Sequence, residues 1–129
     1  MNPLISSFIE TIQSSINIKP TQISEGVRQG FVSSIKLQNQ EIFFCCELTF
    51  LKLLASEMLF EDQPSQEILL DLSKELANLV VGHAKVLYSK QNKHLNLGTP
   101  QFWGEDYTIQ QNNGLHFELN GTKCSIYME

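Results

Sequence analysis

SQEILLDLSKELANLVVGHAKVLYSKQ, residues 65–91, is the longest helical pattern in the chain. At about 100° per residue, Ile68, Leu69, Leu72, Leu76, Leu79, Val80, Ala84, Val86 and Leu87 share one broad apolar arc. Asp71, Glu75, Asn78, Gly82, Lys85 and Ser89 form a narrow polar stripe opposite. Such a helix covers a core with the first set and offers the second to solvent or a partner. Ser65 is its N-cap, and Lys90–Lys93 is where it should fray. Glu75 and Asn78 stand at i and i+3, so their side chains are neighbours. Gly82, one turn on, costs about 1 kcal/mol against alanine in a helix interior and leaves bare backbone beside the pair.

What lies before this helix supplies surfaces for its apolar arc. Asn2-Pro3 is a helix start, and Leu4, Ile5, Phe8, Ile9, Ile12 and Ile16 share one face of a helix over residues 3–17. Pro20 closes it. Residues 21–48 read as strands: Phe31, Ile35 and Leu37 alternate with polar residues, Asn39-Gln40 is a turn, and residues 42–46 suit a strand covered on both faces. Thr49 caps a second helix over residues 50–60, apolar nearly all round and expected to be well buried.

After the long helix, residues 97–103 read as a short strand, with Pro100 at an edge or irregularity because it has no N–H to donate. A weaker strand is expected at residues 107–110. Asn120-Gly121 between two alternating runs predicts a hairpin pairing Phe117 with Cys124, Leu115 with Ile126 and Glu118 with Lys123. The fold class is α+β: an antiparallel sheet with amphipathic helices packed on it, and a weak internal duplication of an α-β-β unit with residues 49–60 inserted.

The 129 residues suffice for a single domain, 1–129, with a real core. A net charge of −5 without a basic cluster excludes a nucleic-acid surface. No apolar run nears the ~18 residues of a membrane span, and MNPLISSF lacks the cationic start of a signal peptide. Cys45, Cys46 and Cys124 have no disulfide spacing, so a reduced, cytoplasmic protein is expected. Cys45 and Cys46 point to opposite faces of one strand and read as core. His83, His94 and His116 show no metal spacing, and His83 reads as a packed or boundary residue.

Asp71-x3-Glu75-x2-Asn78, followed by Pro100 after twenty-one intervening residues, resembles the signature of the CheC/CheX/FliY group of chemotaxis phosphatases. KELANLVVGHAK is similar to the corresponding helix of CheX, with Gly82 in its usual place, and length and element order agree along most of the chain. Glu-x-x-Asn alone is a weak signal; four named positions at fixed offsets on an exposed stripe are far rarer.

The resemblance implies hydrolysis of the aspartyl phosphate on a CheY-like response-regulator receiver domain. That partner would supply the phosphorylated aspartate, Mg2+ and a lysine, and this chain would bind no cofactor or metal. Asn78 would orient the attacking water, because an amide both accepts and donates. Glu75 would pair with the receiver's lysine. Asp71, Gly82 and Pro100 would be supporting residues. The family can carry two motifs, but Ser6-x3-Glu10-x2-Gln13 on the first helix has glutamine for asparagine and no matching proline, so it reads as a relic. The resemblance also implies a homodimer paired through the sheets. The alternative is a catalytically silent receiver-binding or flagellar-switch-like adaptor of the same fold.

Overall fold

Capping sets the ends of the first helix in the computed structural model, which describes residues 2–129. Helix α1 (Pro3–Ile16) begins where the Asn2 side chain accepts from the Leu4 N–H at 2.9 Å, with proline in the first turn. It ends at Asn17, whose left-handed backbone lets its N–H reach the Gln13 carbonyl at 2.9 Å. Strands β1 (Thr21–Ile23), β2 (Gln29–Leu37) and β3 (Gln40–Cys46) follow, then α2 (Leu48–Leu59) and α3 (Gln66–Ser89), then β4 (Gln101–Thr108), β5 (Gly114–Leu119) and β6 (Thr122–Met128).

The six strands form one antiparallel sheet in the order β1-β5-β6-β3-β2-β4. This order sharpens the expected duplication. Pairing β1 with β4, β2 with β5 and β3 with β6 turns it into its own reverse. The repeated unit is thus a helix with three strands, not two, and α2 is the insertion. Strand β1 lies within the expected strand region 21–48, but with three residues it is too short to show a period of its own.

Strand alternation sorts side chains into two clusters. Phe31, Ile35, Ile42, Phe44, Cys46, Phe117, Cys124 and Ile126 join the buried faces of the helices in the main core. Val32, Phe43, Cys45, Ile109 and Tyr127 make a smaller cluster on the opposite face. Cys45 and Cys46 therefore point to opposite sides, as their adjacency requires. The C-terminal hairpin has the predicted register, and Asn120 and Gly121 take φ of 49° and 81° at its turn.

Four expectations are corrected. The β2–β3 turn is Gln38-Asn39, one residue earlier: Leu37 pairs with Gln40, and Asn96 grips Gln38 through bonds of 2.7 Å and 2.9 Å. Helix α2 starts after Glu47, not Thr49; the Glu47 carboxylate accepts from the Lys123 N–H at 2.7 Å instead of capping. Its burial is one-sided: Phe50, Leu51, Leu54 and Ala55 are inside, but Leu48 and Leu59 are exposed. Finally, residues 97–110 do not make two strands. Leu97 forms an isolated bridge to Leu37, Pro100 interrupts the ladder, and β4 then runs unbroken as an edge strand beside β2, with register shifts around Val32.

Polar contacts on the smaller cluster carry a pH dependence. Ser125 accepts from the Val27 N–H at 3.0 Å and lies 2.8 Å from His116 Nδ1. Which of the two donates in that second contact depends on the His116 tautomer, because the hydroxyl can still both accept and donate. Burial, and after it the Arg28 charge, lower the His116 pKa. The folded chain so resists a proton that the unfolded chain accepts below about pH 6.5, and stability falls as pH drops through that window. Urea midpoints at about pH 7.5 and about pH 5.5 should differ less for His116→Gln than for the wild type; an unchanged difference would exclude His116 as the source.

Candidate functional site

Helix α3 is held from below and from one side, which leaves one stripe outward. Ser65 caps it, accepting from the Ile68 N–H at 3.2 Å. Ser33 on β2 donates to the Ser73 carbonyl at 2.7 Å, and Ser7 on α1 donates to the Val80 carbonyl. Ser73, Ala77, Val81 and Ala84 are buried, and these small residues let the helix lie close on the sheet. The apolar arc is accordingly rotated from the expected one: Leu79 and Val86 are 38 % and 50 % exposed.

The predicted stripe is outward. Asp71 and Glu75 are exposed, and Asn78 and Gly82 are half-buried. Among the described residues none of Asp71, Glu75 and Asn78 has a hydrogen-bond or ion-pair partner, so all three can receive one from outside. A Cβ added at Gly82 would meet only Leu97 Cδ2, at an ordinary 3.8 Å. Packing within the chain therefore does not require this glycine, and its helix cost is unexplained by the fold alone. Leu97 brings the segment leading to Pro100 alongside α3. Pro100 itself is half-buried and directly precedes β4.

The imitation motif on α1 is differently placed. Glu10 Oε2 lies 2.5 Å from His83 Nε2, tying α1 to α3, while Gln13 points to solvent. Its carboxylate is engaged within the chain where that of Glu75 is open. His83 is thus a boundary residue with a specific partner that the sequence did not reveal.

The site is a ridge, not a pocket. The cleft between α1, α2 and α3 beside Glu75 has room for only about 10 Å³, too little for any substrate. A shallow groove of about 250 Å³, lined by Leu59, Ile68, Asp71, Leu72 and Glu75, runs past the carboxylates. Small-molecule sites usually enclose about 300–1,000 Å³, so this open groove is smaller than a usual small-molecule site. Among the described residues no three His, Cys, Asp or Glu side chains are grouped to hold a metal. Burial pushes the Cys45 thiol up to about 12 and raises Cys124, whose sulfur lies 3.4 Å from that of Cys46. These thiols pack as small hydrophobes and are poor nucleophiles.

Residues 28–120 match the family model described as chemotaxis phosphatase CheX. The chain belongs to the CheX family. The matched region contains Asp71, Glu75, Asn78, Gly82 and Pro100 and lies wholly after α1. No curated protein matches the chain significantly. Among solved structures, the chemotaxis protein CheX from Vibrio vulnificus is 17% identical, with a TM-score of 0.83 over 100% of this chain and 98% of that one. A CheC-like superfamily protein from Shewanella sp. PV-4 is 23% identical, with a TM-score of 0.73 over 99% of this chain and 96% of that one. A chain of the CheX–CheY–BeF3–Mg2+ complex from Borrelia burgdorferi is 15% identical, with a TM-score of 0.69 over 98% of this chain and 94% of that one. These likenesses establish the CheC/CheX fold. No helix of the described residues is long and apolar enough to cross a membrane.

Proposed function

We propose that this CheX-family chain hydrolyses the aspartyl phosphate of a CheY-like receiver domain, with Asn78 and Glu75 as its working residues. The observation that carries the proposal is the unpartnered Glu75/Asn78 pair on an open helix ridge with no enclosing pocket. Such a ridge suits a phosphate presented in the shallow site of another protein. The Borrelia relative, solved with CheY, BeF3 and Mg2+, supports the same partner class.

Phosphoryl transfer depends mainly on positioning and charge stabilisation. Water attacks phosphorus in line with the departing carboxylate oxygen. The P–O bond to the receiver's aspartate breaks, leaving free carboxylate and inorganic phosphate. Mg2+ on the receiver would offset charge on the phosphoryl oxygens. The Asn78 amide oxygen accepts from the water and its NH2 donates, which holds the nucleophile without taking its proton. The Glu75 carboxylate pairs with the receiver's lysine and sets the docking register. Asp71 supports the pair from one turn before, Gly82 gives the partner a close approach, and Pro100 shapes the segment at the flank. We extend the reading to a cytoplasmic homodimer paired through the sheet; its support is edge strand β4, where Trp103 remains 43 % exposed.

The test is phosphate release from a receiver domain charged with acetyl phosphate, with and without this chain. Release should accelerate in proportion to added protein. Saturating binding with no change in phosphate lifetime would overturn catalysis and leave the adaptor role.

A further inference from the structure

One residue next to the site breaks a local rule. Phe60 ends α2 with φ of 55° and ψ of 35°, and its N–H donates to the Ala55 carbonyl. Left-handed helix ends favour glycine or asparagine, because a side chain there meets its own backbone. Here the position holds phenylalanine, and the ring is 89 % exposed. Nothing inside the fold rewards that choice: the backbone shape disfavours the ring, and the ring fills no core. A feature that opposes local preference without an internal return points to a role outside the fold.

The surroundings indicate what covers it. Leu59, the preceding residue, is 50 % exposed and lines the groove that continues over Ile68 to Asp71 and Glu75. The apolar end of α2 and the proposed docking carboxylate therefore belong to one continuous surface. The segment that carries it is acidic: Asp71 and Glu75 line the groove, and Glu57, Glu61, Asp62 and Glu67 lie in the same stretch, against Lys74 alone over residues 57–75. A complementary partner has basic groups around an apolar recess. Two copies of this acidic face would repel each other.

We propose that Phe60, with Leu59, is the apolar anchor that seats the phosphorylated receiver against this groove and sets which receivers are accepted. The inference rests on the proposed function and adds a specificity determinant outside the Asp71–Pro100 signature. Large aromatic side chains are among those that carry most of the binding energy at an interface. In this role Phe60 acts on the partner's docking and not on the phosphate or the attacking water, so it is a positioning residue.

The experiment measures the Kd of a receiver domain charged with beryllium fluoride and Mg2+, alongside steady-state dephosphorylation. Phe60→Asn should weaken binding by at least about 10-fold and raise KM equally, with kcat unchanged at saturation. Because asparagine suits the left-handed end, its melting temperature should stay equal or rise. Phe60→Tyr should restore most of the affinity. An unchanged Kd for Phe60→Asn would overturn the anchor, as would a change in the chain's own sedimentation without a change in receiver binding. Receiver binding by the wild type without hydrolysis would sink the catalytic reading alone and leave the anchor judged on Kd. A wild type that binds no charged receiver would sink both.

Discussion

Asn78→Ala should lower the maximal rate of receiver dephosphorylation by roughly 100-fold, the scale of losing one preorganised polar group at a transition state. The variant should fold normally, because Asn78 is half-buried and its side chain bonds to nothing among the described residues; the expected stability change is within about 0.5 kcal/mol. Its KM for the charged receiver should move little. Glu75→Ala should do the opposite, raising KM while kcat holds, because a docking contact is made equally in ground and transition states. This crossed pattern separates water positioning from docking. It is read from phosphate release at varied receiver concentration. If Asn78→Ala retains the wild-type acceleration, the amide is not the group that holds the water, and the mechanism must be rebuilt around another residue. Asn78→Gln is an informative intermediate, since it reproduces the Glu-x-x-Gln that stands in α1. Its failure would agree with reading Glu10 and Gln13 as a relic, one now tied to His83.

Much of this was legible in the sequence because periodic elements advertise themselves. The stripe of α3, the Ser65 cap, the start of α1 and the Asn120-Gly121 hairpin each rest on local spacing, and local spacing survives folding. What failed depended on distant partners. Glu47 replaced Thr49 at the start of α2 because the Lys123 N–H, far along the chain, claims its carboxylate. The β2–β3 turn moved one residue because Asn96 braces Gln38. Helix α3 turned its small residues inward, displacing Leu79 and Val86 to the surface, because lying close on β2 favours Ala77 and Val81 over bulk. The Glu75/Asn78 pair was visible as a pattern, but its open surroundings were not. Neither was Phe60: a phenylalanine ending an apolar run reads as core until the left-handed turn throws it outward.

The largest stability effect is expected away from the ridge, at Phe8. This ring is fully buried and joins α1 to both α2 and the sheet. Its centroid lies 4.1 Å from that of Phe117 on β5 and 6.3 Å from that of Phe50 on α2, both in stacked geometry. Truncating a buried phenylalanine removes its transfer energy and leaves a cavity, for about 3–5 kcal/mol in total. In a domain of this size that corresponds to a melting temperature lower by roughly 10–20 °C. Phe8→Leu keeps most of the volume and should cost much less. A loss under about 1 kcal/mol for Phe8→Ala would mean that the core collapses around the gap, and would contradict the tight stacking. The same variant also asks what α1 does for the site. Its surviving contacts to α3, through Ser7 at Val80 and Glu10 at His83, do not involve the Phe8 ring. If those polar ties alone fix the angle of the ridge, Phe8→Ala should keep its full kcat at temperatures where it remains folded, and lose activity only as it melts. A reduced kcat in the folded variant would show that the aromatic joint also sets where Asn78 holds its water.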